Sequence, residues 1–167
     1  MTKRKWNIYT KRTTNISYAS DITVQIYERV KIKKTKNLHD GFVHSVAFSP
    51  DGLHFASASA DKTIILYDAK SFRKKKEFKA DDEVYDIVFS PNSEYLLSGS
   101  LDSNAILWNL NGKRIHEFKT HKLTVSTVAF SNSGKYAITG SHDCMLKLWD
   151  VSSGEELISL TQIAEKD

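Results

Sequence analysis

The chain has 167 residues and a mass of 19.0 kDa, the length of one ordinary domain. Hydrophobic residues make up 40% and charged residues 26%, which suits a packed core and excludes a disordered tail. The single cysteine, Cys144, excludes an intrachain disulfide, and no apolar run approaches the ~20 residues that span a bilayer.

The N-terminus, Met1 to Trp6, is basic but leads into no apolar segment, so a secretory signal is not expected. An intracellular setting, cytoplasmic or nuclear, is the expectation. Net charge is +4, unevenly spread. Residues 1–83 hold 17 basic and 10 acidic side chains, net +7; residues 84–167 hold 7 and 10, net −3. Two basic runs stand out: Lys31, Lys33, Lys34 and Lys36, then Arg73 to Lys76. Either they form a footprint for nucleic acid or anionic lipid, or they guard a solvated edge strand against edge pairing.

In chain order, Trp6–Tyr9 is a candidate strand, followed at a distance by Ser17, Asp21 and Tyr27. Val43–Phe48 is a short apolar-rich strand closed by the turn Ser49-Pro50-Asp51-Gly52. Phe55–Ser59 is a strand of small residues, and Ala60-Asp61-Lys62 is a tight turn. Thr63–Tyr67 is β-branched, and a fourth strand ends at Phe78. This pattern then recurs. Phe48, Phe89 and Phe130 are 41 residues apart, as are Asp61, Asp102 and Asp143, and Tyr67, Trp108 and Trp149. Four strands in about 41 residues make one propeller blade.

The copies resemble WD40 repeats through Val43-x-x-Val46-x-Phe48-Ser-Pro-Asp-Gly52, Ser98-Gly-Ser-x-Asp102 and Leu148-Trp149-Asp150. The resemblance covers residues 37–161 and implies an all-β fold of four-stranded antiparallel blades. Ser17, Asp21 and Tyr27 repeat the offsets of Ser57, Asp61 and Tyr67, making residues 1–36 a degenerate first blade. The expected organisation is therefore one domain: blades over 1–36, 37–79, 80–119 and 120–161, with a tail at 162–167. WD40 rings usually need about seven blades, and this chain supplies four. An open arc or part-propeller is expected: an excised piece, a half that pairs as a homodimer, or an arc that a partner completes.

His39, Ser57 and Asp61 are the residue types of a nucleophile triad. The resemblance instead implies structural tetrads, His39–Ser57–Asp61–Tyr67 and His121–Thr139–Asp143–Trp149, that satisfy buried polar groups. The set recurs, which one catalytic centre would not require, so no catalytic residue is expected. In the middle copy Ala80 stands where the histidine should, leaving Ser98, Asp102 and Trp108 incomplete and that blade less rigid. Asp102 must then find water or a backbone N–H. His142 and Cys144 flank Asp143 without further ligands at metal-binding spacing, and no phosphate-loop motif occurs. Neither metal nor cofactor is expected.

The resemblance also implies that partners bind the narrow top face, at three positions per blade. These are Phe42, His44 and Ala60; Glu83, Tyr85 and Leu101; and Thr124, Ser126 and His142. Phe42, Tyr85 and Leu101 would form an apolar cluster, unless Phe42 or Tyr85 tucks under a loop. The expected function is a non-catalytic protein-interaction scaffold within a multi-subunit complex. The alternative is a nucleic-acid-associated subunit using the basic rim, although no aromatics interleave with its lysines. The arginine two residues after Trp-Asp that marks ubiquitin-ligase adaptors is replaced by Ser152, so that role is not expected.

Overall fold

A computed structural model describes residues 27–28, 31–32, 38–119 and 121–161. The expected first blade lies mostly outside these residues, including Trp6–Tyr9, Ser17 and Asp21. Its described part is a two-residue hairpin, β1 (Tyr27–Glu28) on β2 (Lys31–Ile32).

The remaining strands form three four-stranded antiparallel meanders. The first sheet is β3 (Val43–Phe48), β4 (His54–Ser59), β5 (Thr63–Asp68) and β6 (Lys74–Lys79). The second is β7 (Val84–Phe89), β8 (Tyr95–Ser100), β9 (Ala105–Asn109) and β10 (Arg114–Phe118). The third is β11 (Val125–Phe130), β12 (Tyr136–Ser141), β13 (Met145–Asp150) and β14 (Glu156–Thr161). Among the described residues there is no helix, so none is long and apolar enough to cross a membrane.

Side chains alternate across each strand, so every sheet has two faces to bury. Ala56, Ala58, Ile64, Leu66 and Phe78 of the first sheet pack on Ile87, Phe89, Leu96 and Trp108 of the second. Leu97, Ala105, Leu107 and Phe118 on the second sheet's other face pack on Val125, Val128, Ala137 and Trp149. The middle sheet is thus covered on both sides. Lys147 occupies the position of Ile65 and Ile106, and it is buried. Its ammonium donates to Glu156 Oε2 at 2.9 Å and Ser159 Oγ at 3.0 Å.

The turns repeat as closely as the strands. The residue after each turn aspartate, Lys62, Ser103 or Cys144, has φ between 65° and 70°. This left-handed residue closes a tight three-residue hairpin loop. A side chain normally disfavours that conformation, and the aspartate compensates by accepting the next N–H. Thr63 N, Asn104 N and Met145 N donate to Asp61, Asp102 and Asp143 at 2.9, 3.0 and 3.0 Å.

One polar side chain joins all three sheets along their inner strands. Asp86 accepts from Ser45 Oγ at 2.9 Å, Val128 N at 3.0 Å and Thr127 Oγ1 at 3.3 Å. Ser45, Asp86 and Thr127 are again 41 residues apart, yet no local motif marks this carboxylate, because its partners lie in other repeats. Replacing it leaves the Val128 N–H without that acceptor. Asp86→Ala is expected to lower unfolding stability by about 1–3 kcal/mol, read by urea titration.

Candidate functional site

Side-chain hydrogen bonds tie the loop entering the first and the third sheet to the turn between that sheet's second and third strands. His39 Nδ1 lies 2.9 Å from Asp61 Oδ2, and His39 Nε2 lies 2.7 Å from Ser57 Oγ. Ser57 Oγ and the Tyr67 hydroxyl are 3.4 Å apart, and Thr63 Oγ1 donates to Asp61 Oδ1 at 2.6 Å. In the third sheet, Trp149 Nε1 donates to Thr139 Oγ1 at 3.0 Å, and Thr139 Oγ1 lies 2.7 Å from His121 Nε2. His121 Nδ1 lies 2.9 Å from Asp143 Oδ2. The indole can only donate, so a consistent chain runs from indole to hydroxyl to Nε2, with the Nδ1–H donating to the carboxylate. The His39 and Asp61 side chains are 5% and 14% exposed, and those of His121 and Asp143 are 0% and 5% exposed.

Burial pushes the Asp143 carboxyl up, but the Lys122 and Met145 N–H groups and the His121 ring more than offset it. The net result is a pKa lowered to about 2. For Asp61 burial again opposes, and bonds from Thr63, the Asp40 N–H and His39 again lower the net value.

The middle sheet lacks the imidazole, as expected from Ala80. Trp108 Nε1 still donates to Ser98 Oγ at 2.8 Å, and Ser98 Oγ turns to the Ile106 carbonyl at 3.4 Å. Asp102 accepts the Asn104 N–H, while Ala80 packs against the core between the first two sheets. A different clamp holds this connection. Arg114 on β10 makes a two-pronged bond to Asp81 at 2.8 and 2.9 Å and donates to the Lys79 carbonyl at 3.1 Å. Its guanidinium stands 5.1 Å from the Trp108 ring centroid. The sequence offers no signal for the Arg114 clamp, because Asp81 and Lys79 lie more than 30 residues away in chain order.

The nine positions expected from the resemblance to meet a partner cluster at one end of the sheets. Backbone bonds couple them in pairs: Ala60 N to Phe42 O, Leu101 N to Glu83 O and His142 N to Thr124 O, at 2.8, 2.9 and 3.0 Å. Three of the residues meet across the first two sheets. His44 stacks on Tyr85 with centroids 4.7 Å apart and planes 8° from parallel, and His44 Nε2 lies 3.7 Å from Glu83 Oε2. Phe42 and Leu101 are exposed, as are Leu38 and Leu123, two apolar residues the motif positions did not include. His142 is exposed and Ala60 half-buried. Thr124 is buried, and the half-buried Ser126 donates to the Gly140 carbonyl at 3.4 Å. In the second basic run, Lys74 pairs with Glu77 and Lys75 Nζ lies 2.9 Å from His54 Nε2. Lys33, Lys34 and Lys36 of the first run lie outside the described residues. Among the described residues, no cluster of three or more His, Cys, Asp or Glu could hold a metal ion.

The tetrads generate two measurable expectations. Asp143 contributes stability above its ordinary carboxylate pKa of 3.8, and this contribution is lost as pH falls toward about 2. Over that window wild type should lose about 2 kcal/mol that Asp143→Asn does not, in chemical unfolding at stepped pH. At neutral pH, Asp143→Ala should cost about 2–3 kcal/mol, because it orphans a buried imidazole and two backbone donors. Asp102→Ala, with no imidazole to strand, should cost under about 1 kcal/mol.

Comparison with known proteins accords with this geometry. The WD40 profile, described as "WD domain, G-beta repeat", matches residues 31–68, 72–109 and 112–150. Among curated relatives, Actin-interacting protein 1 of Caenorhabditis elegans is 50% identical over 54 residues, 31% of this chain and 9% of the relative. Actin-interacting protein 1-2 of Arabidopsis thaliana is 36% identical over 69 residues, 40% of this chain and 11% of the relative. WD repeat-containing protein 1 of Gallus gallus is 52% identical over 44 residues, 26% of this chain and 7% of the relative. The alignments thus span about a tenth of those proteins' length. Two solved structures, titled "Structure of U3-55K" and "Crystal structure of RRP9 WD40 repeats", superpose with a TM-score of 0.71 at 24% identity. Each covers 74% of this chain, and the match takes up 40% and 39% of theirs. The chain belongs to the WD40-repeat family, and its described sheets form an open row of blades rather than a closed ring.

Proposed function

We propose that this chain is a non-catalytic scaffold that captures a protein partner on its top face. The observation that carries this reading is the His44–Tyr85 stack, held against Glu83 and placed in the same row of positions as exposed Phe42 and Leu101. Rigid aromatic groups beside exposed apolar side chains lose little conformational entropy on binding, which is the composition of interface hot spots. The triad-like residues are buried in structural hydrogen bonds, which supports a binding role over a hydrolytic one. The name that the Caenorhabditis and Arabidopsis relatives carry makes actin the first partner to test.

Tyr85→Glu combined with Leu101→Glu places two charges in this patch without touching a tetrad. The wild-type chain should pellet with filamentous actin, and the double variant should lose that binding at least tenfold while melting at the same temperature. Equal retention of both proteins would overturn the top-face site. Absence of wild-type binding would remove actin as the partner.

A further inference from the structure

Beside the turn between β9 and β10, the seam of the first two sheets opens into a shallow pocket of about 470 Å³. His54, Leu66, Lys75 and Lys76 of the first sheet line it, with Leu110 and Asn111 of that turn. The β5–β6 ladder pairs Tyr67 with Lys74 and Leu66 with Lys76, so Lys75 bulges out of register. The bulge lets two consecutive lysines share one pocket, where a regular strand would send them to opposite faces. A side chain added at Gly112 would meet Lys76 Cε at 2.8 Å, so the lysine stem lies over the turn.

The charge gathered there is uncompensated. Lys74 pairs with Glu77, but among the described residues neither Lys75 nor Lys76 pairs with a carboxylate. Asp51 and Asp68, whose charges act on His54 and Lys75, are engaged in their own turns. Asp51 accepts from Ser49 Oγ and the Leu53 N–H, and Asp68 from the Ser71 N–H and Oγ. Lys75 Nζ instead donates to His54 Nε2 at 2.9 Å. That places the ring proton on Nδ1, a buried atom with no partner among the described residues. The Asn111 side-chain amide is also without a partner among them.

Closing a seam does not require these cations. The same places at the second seam hold Tyr95, Ile115, His116 and Ser152, with His116 Nε2 3.3 Å from the Ser152 carbonyl. Nor does guarding an outer strand require them, since β10 and β14 contain no lysine.

We propose that this pocket binds a phosphate monoester on a protein partner, a phosphoserine or phosphothreonine side chain. A phosphate monoester carries close to two negative charges and three acceptor oxygens. Two ammonium groups and the Asn111 amide match both, which a singly charged carboxylate would not. Leu66 and Leu110 offer an apolar wall to the neighbouring peptide residue. No Phe, Tyr or Trp lines the pocket for a base to stack on, which favours a peptide over RNA. The site is separate from the top-face patch. His54 opens β4 and Ala60 follows its last residue, so the two lie at opposite ends of the sheet.

Fluorescence anisotropy with a labelled peptide carrying one phosphoserine between leucines tests this assignment. Wild type should bind it, more weakly as salt is raised, and should bind the serine and glutamate versions about tenfold less tightly or worse. Lys75→Ile with Lys76→His installs the residues that already close the second seam, so the fold should persist while affinity falls about tenfold or more. Asn111→Asp, an exposed change that adds a negative charge, gives a second variant with the same expected loss should the first melt early. Tyr85→Glu with Leu101→Glu should leave peptide affinity unchanged, which separates this site from the scaffold reading. No binding by wild type, or equal binding of all three peptides, would overturn the proposal. So would unchanged affinity in the folded lysine variant, or tighter binding of a single-stranded RNA through the same lysines.

Discussion

A four-stranded meander with apolar residues on both faces cannot bury itself. Every other feature of this chain follows from that constraint. The repeat solves it by stacking: Leu66 and Phe78 find cover only because Ile87 and Trp108 arrive with the next 41 residues. Burial of apolar area, at roughly 25 cal/mol per Å², is the main force holding the sheets together, and it acts between repeats rather than within them. The middle sheet, covered on both faces, has a third strand in which Ala105, Ile106, Leu107 and Trp108 are all buried. The third strand of the first sheet is equally buried from Ile64 to Tyr67, and it is the third sheet that carries exposure on this strand, at Leu146.

The family match also shows how the repeats are fastened. The matched stretch 72–109 contains β6, which belongs to the first sheet, and β7 to β9, which belong to the second. A repeat in sequence is therefore not a sheet in space. Its first strand hydrogen-bonds to the blade before, so peeling two sheets apart must also strain the connection between β6 and β7. Most polar ties sit at such connections. His39 and His121 join the loop entering a sheet to the turn of its second and third strands, and Asp86 joins inner strands across both seams.

This redundancy explains why the missing histidine at Ala80 is tolerated. The turn at Asp102 keeps its own backbone bond, and the connection is held by Arg114, whose fork matches the Asp81 carboxylate. An apolar residue at position 80 beside the core costs less than a half-bonded imidazole would. Each connection thus keeps a polar tie of its own, and the His44–Tyr85 stack joins strands β3 and β7 that these ties hold in place.

The blade architecture was legible in the sequence. The spacing of 41 between Phe48, Phe89 and Phe130 sets repeat length, and alternation within Val43–Phe48 sets strand period. Both are local signals that any stretch of the chain carries. The hydrogen bonds of His39 and His121 likewise join residues lying within one repeat. Which side chains meet across repeats emerged only in the folded chain. Nothing near Asp86 announces Ser45 and Val128, and nothing near Arg114 announces Asp81. Lys147 looks like a solvated lysine until its strand is placed in the seam, where Glu156 and Ser159 receive its charge. A length of 167 residues suits one self-contained domain. Only the packed sheets reveal that Ile138, Leu146 and Leu160 stay exposed on the third sheet while their counterparts in the other sheets are covered, because exposure depends on what lies opposite and not on what lies next in the chain.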